Sequence, residues 1–318
     1  MREEGAVFRT IVDVPEWPVR MQTQHRFVLL GSCFAQSIGE RFQSFGLSAV
    51  CNPLGVTYNP ESIAVQVRQA LRAEDRLPLF RSDGWWHCWW TGTLFGATEE
   101  DALRREVQEA FSQLGNALRQ ADFLFVTLGT NVCYRLKENG MTVTNCHKAP
   151  GSLFEEATLD LPACTDILAG MLELLRQECP KLRVVFTVSP YRYAKYGFHG
   201  SQLAKATLLL AVDELCRRYP EQTNYFPAYE LLLDDLRDYR FYADDMIHPS
   251  PAAVGYIWQR LTQSCMDMTL RQYLELYGPI RSALMHKPKQ GETADYLAFH
   301  KAAEAKARLL QEKYGVNI

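Results

Sequence analysis

Short apolar runs rich in branched and aromatic residues alternate along this chain with longer segments of helical periodicity, and that alternation leaves few folds open. The runs cover residues 27–30, 47–51, 123–128, 182–188 and, more weakly, 224–226. Helical spacing of apolar residues marks 33–45, 60–71, 99–119, 164–178 and 202–218 between and beside them. A strand buried on both faces reads as a nearly unbroken apolar stretch, and strands alternating with helices close most readily into a parallel sheet covered on both sides. One α/β domain accounts for all five runs.

Two insertions interrupt the alternation. Residues 81–96 carry the string WWHCWW, with Trp85, Trp86, Trp89 and Trp90, and residues 132–150 contain Glu138-Asn139-Gly140, a hairpin-turn signal. The tryptophans offer faces of the kind that carbohydrate- or lipid-binding surfaces use, while a packed hairpin or core is the commoner origin of adjacent aromatics. Beyond residue 250 the chain reads as helix, first over 251–277 and then over 296–314. The expected organisation is an N-terminal extension over 1–26, a main α/β domain over 27–262 and a helical extension over 263–318 packed on that domain. The last amphipathic helix, AFHKAAEAKARLLQEKY, docks either on its own core or on a partner subunit.

Composition narrows the function. The chain has 318 residues, and 34 Lys and Arg against 37 Asp and Glu give a formal charge of -3, without the basic excess that draws a protein to nucleic acid or an anionic membrane. No apolar stretch has the length of a transmembrane span, and the beginning, MREEGAVFRT, lacks the apolar core of a secretory signal, so a cytoplasmic address is expected. The nine cysteines contain no CxxC pair and read as reduced thiols. Cys146, His147, His199 and His248 lie on scattered loops without zinc spacing, so neither a metal nor another cofactor is expected.

Candidate chemistry centres on two places. Ser32 follows Gly31 at a strand-to-helix junction, where a hydroxyl stands at the carboxyl edge of a sheet and the first helical amides can receive negative charge. Far downstream, Asp245 and His248 stand three apart before Pro249, and Ser250-Pro251 reads as a cap with a first-turn proline. That puts the Asp and His in a loop just ahead of a helix. A serine hydroxyl needs an imidazole to take its proton, and the imidazole needs a carboxylate to fix its tautomer. Asp244 competes with Asp245 for that part. Cys33 competes with Ser32, because a thiol at a helix N-terminus can be acidified and paired with a histidine.

Several strings carry a resemblance: GSCFAQSIGERF, NPLGVTYNP, NCHK, TVSPYR, HGSQLAKATLLLA and RDYRFYADDMIHPS. Together they resemble the GSCFA domain family, itself similar to the SGNH, or GDSL-like, hydrolases. The resemblance spans about residues 27–260 and implies a three-layer α/β/α sandwich around a parallel, flavodoxin-like five-stranded sheet. It implies Ser32 as nucleophile, Asp245 and His248 as its supporting pair, and Gly55 and Asn131 as oxyanion donors alongside the Ser32 amide. Gly55 can equally make a turn, and Asn131 can equally cap or close a loop. The sequence departs from the hydrolase pattern twice: no acidic residue separates Gly31 from Ser32, and Val132 follows Asn131 where an Asp is usual.

Asn145, His147 and His199 are further candidates for touching substrate, with structural roles equally open. The expected activity is that of a serine esterase or acyltransferase working through an acyl-enzyme on Ser32. Its substrate would be a small-molecule or carbohydrate acyl ester, such as an O-acetylated sugar. The alternative is a binding or scaffold protein that keeps the fold without efficient catalysis. A dinucleotide-binding domain is disfavoured, since the first strand turn has one glycine rather than G-x-G-x-x-G. The oligomeric state is left open.

Overall fold

The computed structural model describes residues 9–72, 76–288, 291 and 293–316. Its central sheet is built from β1 (Phe27–Gly31), β2 (Ala49–Cys51), β5 (Phe123–Leu128), β9 (Arg183–Val188) and β10 (Thr223–Tyr225). Between them come a hairpin of β3 (Leu79–Ser82) and β4 (Trp85–Cys88), and a small sheet of β6 (Val132–Leu136), β7 (Thr142–Val143) and β8 (Phe154–Thr158). The central order is β10-β9-β5-β1-β2, with every neighbouring pair parallel. Counted along the chain, the first sheet strand lies between the second and the third, as in flavodoxin-like folds. The order therefore reverses between β1 and β5, and the crevice at their carboxyl ends is where such sheets bind ligands.

Both faces of the sheet are covered, which is why its strands read as unbroken apolar runs. Side chains alternate between two cores. Val28, Leu30, Leu124, Val126, Val184 and Phe186 face one core. It is shared with the helices α2 (Pro60–Arg72), α3 (Glu100–Gln120), α4 (Leu161–Glu178) and α5 (Gly197–Arg218). Phe27, Leu29, Phe123, Phe125 and Val185 face the other. There they meet α1 (Cys33–Ser44), α7 (Pro251–Cys265) and α8 (Met268–Leu284). Phe42 of α1 is fully buried in that second core, 4.6 Å from the Phe27 ring and edge-on to Trp258 at 5.0 Å. The short α6 (Ala228–Glu230) runs on into a π-helical turn, Leu231–Leu236, and α9 (Ala294–Tyr314) packs along α8.

The expected insertions are hairpins. Asp83 and Gly84 both take positive φ, 49° and 84°, as a two-residue turn between β3 and β4 requires. Trp89 and Trp90 are buried in the core beneath this hairpin, whereas Trp85 is exposed. The strand β8, sequence FEEAT, was not expected; it pairs antiparallel with β6 over its whole length and carries its two glutamates outward.

One expectation is corrected. The helix expected over 251–277 is two helices, because Met266 is extended and Asp267 caps a new start, its carboxylate accepting the Leu270 amide at 2.7 Å. The break also pairs Met266 with Met21, which ties the N-terminal segment to the C-terminal helices. Tyr273 of α8, fully buried, donates its hydroxyl to the Phe45 carbonyl at 2.6 Å, so the C-terminal extension packs on the end of α1.

Candidate active site

The first catalytic candidate is set by the way the chain leaves β1. Gly31 has φ +133°, and a Cβ there would lie 2.2 Å from the Thr127 carbonyl oxygen, so only glycine fits between β1 and β5. The next residue, Ser32, is the N-cap of α1. Its hydroxyl accepts the Phe34 amide at 3.3 Å and donates to the Ser189 hydroxyl at 2.9 Å. Ser32 is fully buried. Its own amide donates to Thr127 O at 3.2 Å. Cys33, the first residue of the helix, is only half-buried. Burial pushes its thiol up; the Phe34 and Cys33 amides and the Lys205 charge pull it down, and the Asp245 carboxylate opposes them.

The second candidate is one turn of loop. Asp245 Oδ1 accepts the Ile247 and His248 amides, each at 2.9 Å, while Oδ2 meets His248 Nδ1 at 2.5 Å. Those two amides and then the imidazole hold the carboxylate down to about 2. Met246, at φ +59°, makes the turn that brings the pair together. From the β9 side, Arg192 N donates to Ile247 O at 2.9 Å and its guanidinium to Met246 O at 3.0 Å. Ser250 then caps α7, accepting the Ala253 amide at 3.3 Å. Asp244 is exposed, and the carboxylate on the imidazole is that of Asp245.

The two places meet through the loop after β9. Ser189 holds the Ser32 hydroxyl and accepts the Tyr191 amide at 3.3 Å, and the Tyr191 ring lies 4.6 Å from that of His248. The Ser32 hydroxyl hydrogen thus goes to Ser189 and not to the imidazole. Behind this loop the fully buried Lys205 of α5 donates to Gly129 O at 2.6 Å and Ser189 O at 2.9 Å. Burial pulls its amine down to about 7, and the Cys33 thiolate form would raise it. Ser189, Tyr191 and Lys205 were not among the expected residues. Lys205 had a signal in the sequence: it interrupts the buried stripe of Ser201, Ala204, Leu208, Ala211 and Val212.

The expected oxyanion donors stand at the carboxyl edge, each with a partner of its own. Gly55, at φ +88° and packed on Gly92, donates to Asn52 O at 2.8 Å. The Asn131 side chain is buried and donates to Leu159 O at 2.7 Å, leaving one amide hydrogen. His147 lies apart from the Asp245–His248 pair. It is buried under the β3–β4 hairpin, its Nε2 near Cys88 O and Thr91 O at 2.9 and 3.1 Å, its ring among Phe80, His87 and Trp89. Asn145 supports that turn by accepting the His147 amide at 2.7 Å. His199 is exposed in the first turn of α5. Among the described residues no three His, Cys, Asp or Glu gather to hold a metal ion, and no helix is long and apolar enough to cross a membrane.

The GSCFA family matches residues 26–261. No curated protein matches the chain. Among solved structures the chain is similar to a protein from Slackia heliotrinireducens provisionally classed as an SGNH hydrolase, with 12% identity and a TM-score of 0.40 over 76% of this chain and 98% of that one. It is also similar to an acetyl xylan esterase from the rumen bacterium Butyrivibrio proteoclasticus, at 11% identity and 0.38 over 77% of this chain and 64% of that one. A catalytic mutant of an acetylxylan esterase from Geobacillus stearothermophilus gives 11% and 0.38 over 78% and 98%.

Proposed function

The chain belongs to the GSCFA family, and from that premise we propose that it is an SGNH-type acyl-ester hydrolase, or a transferase of the same acyl group, working through a covalent acyl-enzyme formed at the Ser32-Cys33 step. The observation that carries this reading is the Asp245–His248 pair, 2.5 Å apart, on a loop tied to the carboxyl edge of the sheet beside the start of α1.

In the proposed cycle His248 takes the proton of the nucleophile through Nε2 as that nucleophile attacks the ester carbonyl. Asp245 fixes the Nδ1–H tautomer and stabilises the imidazolium. The proton then passes to the departing alcohol, and water or an acceptor alcohol, deprotonated in turn by His248, releases the acyl group. With Ser32 as nucleophile, its hydroxyl must leave Ser189 and turn toward His248. The remaining Asn131 amide hydrogen, and Gly55 after release from Asn52, are the donors available to the oxyanion.

The substrate class that fits is a small-molecule or carbohydrate acyl ester, with an O-acetylated sugar as the leading example. A cytoplasmic setting suits the free half-buried thiols of Cys33, Cys51, Cys146 and Cys216. The intramolecular partners of the oxyanion donors favour the second reading, a binding or scaffold protein on the same fold. Turnover of acetyl, butyryl and longer activated esters by wild type and His248→Ala separates the two. The enzyme reading requires turnover that disappears with the imidazole; stable ligand binding with no His248-dependent turnover favours the scaffold.

A further inference from the structure

We infer that Cys33, rather than Ser32, carries the acyl group, with Ser32 serving as the cap that fixes the start of α1. This inference rests on the acyl-transfer reading above and names the atom it uses.

The difference between the two residues is one of position on the helix. An N-cap side chain folds back over the first helical amides, and Ser32 does so through Phe34 N. Its hydroxyl is spent on both sides, as acceptor from Phe34 and as donor to Ser189, and no part of the residue reaches solvent. Using it as a nucleophile would break the cap and leave the buried Ser189 hydroxyl only the Tyr191 amide as donor. Cys33 is the first residue inside the helix and is only half-buried.

The surroundings also converge on the thiol. The charges of Lys205 and Asp245 act on Cys33, and Tyr58 and Tyr191 lie within its electrostatic reach. These groups come from the loop after β2, the loop after β9, α5 and the loop before α7. The Tyr191 ring in turn lies tilted against that of His248, with centroids 4.6 Å apart. Tyr191 therefore neighbours both the His248 ring and Cys33.

The chemistry balances without any added redox partner. The Cys33 S–H proton moves to His248 Nε2 as the S–C bond forms. Collapse of the tetrahedral adduct breaks the ester C–O bond, and the imidazolium returns the proton to the alcohol. Attack by water or an acceptor alcohol on the thioester then breaks the C–S bond, and its proton returns to the thiolate by way of His248. Burial holds the resting thiol protonated, so the imidazole acts as a general base during attack and not as the partner of a preformed thiolate.

The test uses the full chain and p-nitrophenyl acetate. Wild type, Ser32→Ala, Cys33→Ala and His248→Ala are mixed with the ester, quenched in acid, and mapped by peptide mass spectrometry with and without neutral hydroxylamine, which cleaves thioesters and spares oxygen esters. Near-UV circular dichroism establishes that each variant is folded. The expected result is a His248-dependent acetyl group on Cys33, removed by hydroxylamine, absent in Cys33→Ala and still formed in Ser32→Ala. A His248-dependent acetyl group on Ser32 that resists hydroxylamine overturns the inference and leaves the proposed function standing. Absence of any His248-dependent acylation or turnover overturns both.

Discussion

Asp245 receives His248 twice, through the backbone amide at 2.9 Å and through the ring at 2.5 Å, so the carboxylate that orients the imidazole is itself oriented by the same residue. A third hydrogen bond, from the Ile247 amide at 2.9 Å, closes the turn. Asp245→Asn keeps the size of the side chain but can present an amide to Nδ1 and select the wrong tautomer. The expected loss in kcat for ester turnover is about 10³–10⁴-fold with a smaller change in KM. A loss under tenfold would remove Asp245 from the catalytic pair.

Lys205 gives a pH signature. Burial lowers its amine from 10.5 to about 7, so between those values the unfolded chain binds more protons than the folded one and stability rises with pH. The contribution is fully present above about 10.5 and is lost as pH falls through about 7. Cys33, Tyr191 and Tyr229 nearby have raised values and titrate in overlapping ranges, so the readout is a difference. Chemical denaturation of wild type and Lys205→Met from pH 6 to pH 10 should show a rising slope in the former that flattens in the latter. Parallel curves would place the amine outside this account.

Gly31→Ala should be poorly tolerated. The added methyl meets Thr127 O at 2.2 Å, and φ +133° is itself unfavourable for alanine. The expected cost is at least about 2 kcal/mol, from backbone strain and overpacking combined. Urea unfolding measures it; a cost under about 0.5 kcal/mol would mean that β1 and β5 separate easily.

Asp267→Ala removes the cap that starts α8. The expected destabilisation is about 1 kcal/mol, within the usual range for such caps. Hydrogen exchange should speed up first at the amides of 268–271. Unchanged exchange there would show that the Met21–Met266 pairing alone sets the helix boundary.

The fold was legible because strands buried on two sides leave continuous apolar runs. The run over 123–128 coincides with β5, and the others differ by a residue or two at their ends. The strand β8 was hidden because two of its five residues are glutamates facing outward on a small sheet, which weakens the apolar signal. The Asp245–His248 pair was legible because three-residue spacing in a loop is a local matter. The choice between Ser32 and Cys33 was not, since it turns on the hydrogen bond from the Ser32 hydroxyl to Ser189, a residue 157 positions away. Asn131 was harder still: its amide partner, Leu159, is 28 residues away and belongs to a connection that periodicity does not describe.

A single ammonium group holds the backbone oxygens of both Gly129 and Ser189. The segments leaving β5 and β9 are thereby yoked, and neither can swing aside independently to admit a ligand. The 52–58 and 243–248 segments lean on that yoked pair, Tyr58 O accepting the Gly129 amide at 2.7 Å and Ile247 O the Arg192 amide at 2.9 Å, so changes in ligand preference should accumulate in those two stretches before they reach the yoked pair.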